Sequence, residues 1–473
     1  MPDFTQRSHC YHELEECTQL TRDLWGGTRA MKLAGARWLP MEPKEQLLSY
    51  NNRLRRSILY NGYTRAVKSI AGKPFSKPAS VSDAAEEQIA RIEKDADRQG
   101  NNLTQFGKRF FECAIHNGMA HIFVDYPSAG KNVTVQDQRE RDIRPFFVKY
   151  APLDVLYWET SIDAMGKVFL SEVWLREYVV TAGKKLEKVR VLKPGQWEVY
   201  VKQDSKNGVE YALENTGELT YDNGRSIPFF TFYTNETGYL EAEPALEDLA
   251  WLNLAHWQSQ SDQRNILRIA RCGILFGSGL RDEDVERFKA VGPNTLWHSE
   301  NPAAQLKYTE HTGAAIAAGR QDLTDLEIKM EVLGFLPFVQ RSGDETATAK
   351  AIDESKGTSD IQVWINDLEA FFMACFSAAY TWIGQEMPED FKVDIFQDFA
   401  LSGRSATDVV ALNDMRKNRQ LSMETHLREV RKRGVISDDI DIDAEVARIK
   451  DEDAAALETM FPAGEKGGDG SRP

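Results

Sequence analysis

Leu333-Gly-Phe-Leu-Pro-Phe338 closes one helical pattern, and Thr346-Ala-Thr-Ala-Lys350 opens another. Between them Gly and Pro break the periodicity, so a loop is expected. After Thr346, a cap-forming residue type, Ile361, Trp364, Leu368, Phe371, Cys375, Ala378 and Trp382 recur at spacings of three and four. That is one apolar face of a long helix. Gly357 is expected to mark a kink. The stretch 333–384 thus reads as helix, loop and a second, much longer helix, and it carries no catalytic signature.

Upstream, Leu323, Leu326, Met330 and Leu333 share the face of a helix over about 312–333. A further helix is expected to start at Glu243-Pro244, where Pro suits a first turn, and to run to Arg271. Residues 272–310 between the two helices form a short mixed insert. Its strand candidates are Gly273-Ile-Leu-Phe276 and Thr295-Leu-Trp297, with a helical turn near 283–289.

Residues 119–233 alternate with period two. The segments 121–125, 145–150, 168–176, 188–192, 197–202 and 228–233 read as strands. Pro194-Gly195, Asn207-Gly208 and Asp222-Asn-Gly224 separate them as turn signals. About six to eight antiparallel strands are expected there. Residues 1–118 read as mainly helical, with one helix face at Leu59, Tyr63, Val67 and Ile70, and further helices over 84–98 and 103–113. Downstream, 391–396 is a strand candidate. Ser422 is a candidate N-cap, and Gly434-Val435 a helix stop. The tail 462–473 is expected to be disordered.

At 473 residues and 53.6 kDa, two to four structural units are expected. A mean hydropathy of -0.48 and the lack of an 18-residue apolar run argue against an integral membrane protein. The N-terminus lacks the apolar stretch of a signal peptide, which implies residence in a cytoplasm. Five scattered cysteines suggest reduced thiols. His9, Cys10, His12 and Cys17 match no zinc spacing, and an ordinary polar helix is expected in their place.

The familiar enzyme signatures are missing. Gly72-Lys73 and Gly183-Lys184 lack the remainder of a phosphate loop, and neither a Gly-x-Ser-x-Gly elbow nor a His-Glu-x-x-His pair occurs. Asp439, Asp441 and Asp443 imitate the start of a calcium loop, but Ala444 and Lys450 stand where Gly and Glu are required. An acidic helix start is the expected reading. No enzyme activity, cofactor or metal is expected.

The net charge is -15, and residues 437–473 alone contribute -7. A chain this acidic is not a bulk nucleic-acid binder. Residues 46–82 nevertheless hold no acid and seven bases, including Arg53, Arg55, Arg56, Arg65 and Lys68. These five are candidates for contact with the phosphates of DNA. The alternative is a helix whose basic face is solvated or paired with this protein's own carboxylates.

The order of elements resembles the portal proteins of tailed phages. Tyr60-Asn-Gly-Tyr-Thr-Arg-Ala-Val-Lys-Ser-Ile-Ala-Gly-Lys-Pro74 resembles the early portal helix. Ile227-Pro-Phe-Phe-Thr-Phe-Tyr233 followed by Pro244-Ala-Leu-Glu-Asp-Leu249 resembles the strand that leads into the first stem helix. Thr346-Ala-Thr-Ala-Lys350 resembles the start of the spine helix. The match is closest to a siphophage-like subfamily long labelled only as a domain of unknown function.

The resemblance implies an α+β portal-like fold. It divides into a wing over 1–243, a first stem helix over 244–271, a clip over 272–310 and a second stem helix over 311–333. A tunnel loop over 334–345, a spine helix and wing return over 346–403, and a helical crown over 404–473 follow. It also implies a homo-oligomeric ring, usually of about twelve subunits, at one vertex of a virion capsid. The ring would be assembled in the host cytoplasm, without membrane contact. Its partners would be double-stranded DNA in the channel, the terminase, the head-tail connector, and the major capsid and scaffolding proteins. Phe335, Leu336, Phe338, Gln340 and Arg341 would line the tunnel, with Arg341 within reach of a phosphate. Leu323, Leu326, Met330 and Leu333 would pack between subunits. Two other readings stay open: a different structural head or connector protein, and a cytoplasmic enzyme whose motifs are not recognisable.

Overall fold

A computed structural model describes residues 3–82, 85–127, 140–205, 208–271, 274–279, 303, 305–309, 313–334, 347–397, 406–432, 435–436 and 440–450. The fold is α+β. Two compact units are present, one of Met1–Lys350 with Val363–Ile395, the other of Ala351–Gln362 with Phe396–Pro473.

The larger unit opens with helices α1 (Tyr11–Cys17), α2 (Gln19–Trp25), α3 (Gly27–Ala34), α4 (Leu47–Arg56) and α5 (Gly62–Gly72). Asn61 caps α5, its side chain accepting from the Thr64 amide at 3.1 Å. Tyr63, Val67 and Ile70 of the expected face are fully buried. Strand β1 (Ser80–Val81), α6 (Glu87–Lys94) and α7 (Leu103–Asn117) follow. Asn102 caps α7 by accepting from the Gln105 amide. Gly118 ends α7 with φ +85°, and a Cβ there would lie 2.1 Å from the Glu243 carbonyl oxygen, so only glycine fits.

The expected strand region forms two sheets. Strands β2 (Met119–Asp125), β3 (Phe146–Tyr150) and β9 (Phe229–Tyr233) pair in the order β3-β2-β9. Strands β4 (Val155–Ile162), β5 (Val168–Thr181), β6 (Lys184–Lys193), β7 (Gly195–Ser205) and β8 (Gly208–Leu219) form an antiparallel meander. All six expected strands are present. β4 and β8 were missed, because their polar, exposed ends blur the alternation. The β5–β6 hairpin turns at Ala182 and Gly183, both with positive φ, the geometry that matches strand twist in a two-residue turn. Phe123, Tyr150, Leu175, Leu192 and Leu219 fill one core cluster, while Phe4, Leu156, Trp174 and Tyr200 fill another.

After β10 (Glu236–Gly238) and β11 (Glu241–Ala242) comes α8 (Glu247–Arg271). It begins later than Pro244, which instead closes a turn by accepting from the Glu247 amide. Strand β12 (Ile274–Ser278) pairs with β13 (Gln305–Thr309), a partner not anticipated from the sequence. The expected strand at 295–297 and turn at 283–289 lie outside the described residues. Helix α9 (Ala314–Leu333) follows.

Helix α10 (Ala347–Trp382) is 36 residues long and runs through Gly357 without a break. Within the larger unit its apolar face packs on α7 and the three-stranded sheet. Phe371 stacks on Phe110 at 5.0 Å between ring centres, and Phe376 meets Phe147 edge-on. Trp364 Nε1 donates to the Thr234 carbonyl and Trp382 Nε1 to the Val124 carbonyl. Strand β14 (Val393–Asp394) pairs with β1.

In the smaller unit, α11 (Ala406–Lys417) and α12 (Met423–Lys432) are followed by a helix over 442–450. Ser422 caps α12 through the Thr425 amide, as expected from the sequence. Asp441 accepts from the amides of Asp443 and Ala444, a carboxylate at a helix start. Asp439, Gly434 and the tail 462–473 lie outside the described residues.

Candidate functional site

The two helices that the sequence places before the loop, α8 and α9, pack side by side. Three contacts fix their direction. His256 Nε2 lies 3.2 Å from Glu327 Oε1, Ser259 Oγ donates to Asp322 at 2.6 Å, and Gln263 Nε2 donates to the Ile316 carbonyl at 2.8 Å. As the number rises on α8 it falls on α9, so the helices are antiparallel. Gly319 sets their approach, because a Cβ there would lie 2.2 Å from Gln263 Oε1. A groove of about 440 Å³ runs along the pair, lined by Gln258, Asp262, Ile266, Asp322 and Leu326 among others.

The base of the pair is anchored in the N-terminal helices. Asn253 is fully buried, accepting from the Tyr63 amide and donating to the Tyr60 carbonyl. Ser57 Oγ donates to Ser261 Oγ at 2.9 Å, and Gln258 Nε2 to the Trp38 carbonyl. Burial depresses the pKa of His256, opposed by its hydrogen bond to Glu327. Toward Arg271 and Ala314 the side chains become exposed, with Arg264, Arg268, Arg320 and Gln321 open to solvent. The seam is therefore polar, and hydrogen bonds tie its base to the N-terminal helices.

The four leucine-type residues of the expected packing stripe divide. Leu326 and Met330 are buried within the chain, and a Cβ on Gly62 would lie 3.5 Å from Met330 Sδ. Leu323 is half-buried, whereas Leu333 and its neighbour Val332 are exposed. Among the described residues of this stripe, Leu333 is the exposed one, with Val332 beside it.

The basic segment divides as well. Arg53 is removed from the candidates for DNA or capsid contact, since it is 5% exposed. Its Nε and Nη2 grip Glu45 at 3.0 and 2.8 Å, Nη2 also donates to the Pro40 carbonyl, and Nη1 lies 3.4 Å from Asp262. The sequence placed no acid within 46–82, but Glu45 stands just before that window and Asp262 arrives from α8. Those hydrogen bonds hold the Glu45 carboxyl below the usual range. Arg55, Arg56, Arg65 and Lys68 are exposed. Arg56 Nε donates to the Asn52 carbonyl, and the Lys68 ammonium lies 5.3 Å from the Trp25 ring centre.

Phe335, Leu336, Phe338, Gln340 and Arg341 lie outside the described residues, as does most of the loop 334–345. Residues missed by the sequence reading are Asn253, Glu45 and Asp262. A polar residue amid the apolar run of α8 was the one available signal for Asn253. No helix among the described residues is long and apolar enough to cross a membrane.

Among solved structures the chain is similar to one from the neck of an empty gene transfer agent (GTA) particle, with TM-score 0.44 and 9% identity over 77% of this chain and 88% of that one. It is also similar to one from the virion of a native GTA particle, with TM-score 0.42 and 10% identity over 80% and 92%. A third likeness is to the neck of the native particle, with TM-score 0.42 and 9% identity over 76% and 87%. No curated protein matches the sequence. Residues 245–383, which span α8, the strand pair, α9 and all of α10, match the family described as a domain of unknown function (DUF4055).

Proposed function

We propose that this protein is a portal subunit, a structural and non-enzymatic component of the head-to-tail connection of a tailed phage or phage-like particle. One observation carries the reading. The segment matching the family of unknown function, 245–383, coincides with the antiparallel helix pair, the strand pair between them and the long helix that follows. In a portal these are stem, clip, stem, tunnel loop and spine. The sequence also resembles a portal subfamily that carries such a label.

On this reading α8 and α9 form the stem, 272–310 the clip, 334–345 the tunnel loop, and 404–473 the crown. The exposed polar faces of α8 and α9 meet DNA or the adjoining subunit. Copies of a chain with net charge -15 build an acidic ring, and an acidic bore repels phosphates, so DNA slides without being trapped. Terminase, the connector, capsid and scaffolding proteins are the expected partners, and the virion the expected location.

Light scattering on the purified chain, with and without scaffolding protein, tests the proposal. The expected mass is about twelve times that of the 53.6 kDa chain, with annular particles in projection images. A monomer or dimer at high concentration under both conditions would overturn it.

A further inference from the structure

The N-terminal segment and the β10–β11 hairpin meet at a cluster that the stem and channel leave unused. His9, Cys10 and Glu241 each offer one ligand atom, and these three atoms lie within 4.8 Å of one another. His9 Nε2 is 2.7 Å from Glu241 Oε1. The Cys10 thiol is buried behind them, whereas the His9 side chain is 72% exposed and that of Glu241 32% exposed. The cluster therefore has an open side by which an ion can enter and a closed side formed by the thiol.

We propose that His9, Cys10 and Glu241 form a binding site for a transition-metal dication of the zinc type, tying the N-terminal segment to the β10–β11 hairpin. The donor set selects the ion class. Thiolate and imidazole with one carboxylate suit zinc or cobalt, while magnesium and calcium prefer oxygen-only shells. On binding, the Cys10 thiol gives its proton to solvent, neutral His9 supplies the Nε2 lone pair, and Glu241 binds as the carboxylate.

A second observation points the same way. A cavity of about 10 Å³, near the size of one water, adjoins the thiol and is lined by Ser8, Cys10, His121, Trp158 and Leu240 among others. His121 is 1% exposed. Its Nδ1 lies 2.9 Å from Thr231 Oγ1, and its Nε2 has no hydrogen-bond partner among the described residues. A metal-bound water in that cavity would complete a four-coordinate shell within reach of an imidazole nitrogen that burial otherwise leaves unpaired.

Such an ion would act as a staple. Phe4 packs against Trp174, Tyr200 and Tyr211 of the five-stranded sheet, and the Ser8 amide donates to the Leu156 carbonyl. Fixing His9 and Cys10 to Glu241 would hold this short segment in place from its other end.

The test uses the full chain, freed of metal by a chelator and then titrated with Co²⁺. The expected result is a near-ultraviolet thiolate-to-cobalt charge-transfer band together with the visible bands of tetrahedral cobalt. Cys10→Ser should abolish the charge-transfer band. His9→Ala and Glu241→Gln, at more exposed positions, should each weaken Co²⁺ affinity by about tenfold or more. Cys17→Ser and His12→Ala should change neither. Circular dichroism identifies any variant that has lost its fold, and the exposed His9→Ala keeps the test decisive if Cys10→Ser has. A wild-type chain without the charge-transfer band, a band that survives Cys10→Ser, or an affinity unchanged in His9→Ala would overturn the proposal.

Discussion

Asn253, in the middle of a helix, acts as a second cap for another helix. Its Oδ1 accepts from the Tyr63 amide at 2.9 Å and its Nδ2 donates to the Tyr60 carbonyl at 2.8 Å. The first amides of a helix lack intrahelical partners, and Asn61 satisfies only Thr64 at the start of α5. Asn253 therefore satisfies the buried Tyr63 amide, shares the Tyr60 carbonyl with the Gly62 amide, and fixes α8 to the N-terminal helices. Asn253→Ala should cost about 1–3 kcal/mol, since the Tyr63 amide would be left unpaired while the Tyr60 carbonyl would keep the Gly62 amide. A urea midpoint unchanged by the substitution would refute this role.

Arg53 and its neighbours should separate cleanly. Arg53→Ala leaves Glu45 and the Pro40 carbonyl without their main partner and should cost about 3–5 kcal/mol in thermal or urea unfolding. Arg55→Ala and Arg56→Ala, on exposed side chains, should stay within about 0.5 kcal/mol. Equal effects at all three positions would contradict the ion-pair assignment.

The aromatic contacts of α10 predict a large core penalty. Phe372 is 1% exposed and meets Phe110, Phe147 and Phe371. Phe372→Ala should destabilise the larger unit by about 3–5 kcal/mol, read as a lowered urea midpoint.

Acid should loosen the protein through His116. Burial, with a smaller effect of the Arg22 charge, holds its pKa down at about 4, against 6.5 when unfolded. The unfolded chain thus binds this proton more tightly. The stabilisation is complete above about pH 6.5 and is lost as pH falls toward 4, roughly 2 kcal/mol of it by pH 5. Unfolding at pH 7 and pH 5 should show a smaller drop for His116→Gln than for the parent chain, and equal drops would count against it.

Deleting residues 335–343 tests the tunnel-loop reading independently of the ring. The variant should assemble to the same mass as the parent chain but fail in DNA packaging or retention. Loss of the ring itself would sink that assignment.

The sequence alone determined the elements whose periodicity is local. Tyr63, Val67 and Ile70 reveal the buried face of α5, and Ser422 reveals the start of α12, because spacing and capping act within a few residues. Six strands and the 361–382 stripe were legible for the same reason. Only the tertiary structure decided the pairings that cross the chain. It divided the strands into two sheets, paired β12 with β13, and turned Arg53 from a candidate surface cation into a buried ion pair with Glu45. It also brought Glu241 to His9 across 232 positions of sequence. Spacing rules are blind to such contacts, since a hydrogen bond or a ligand set depends on distance in space, which folding supplies and local pattern does not.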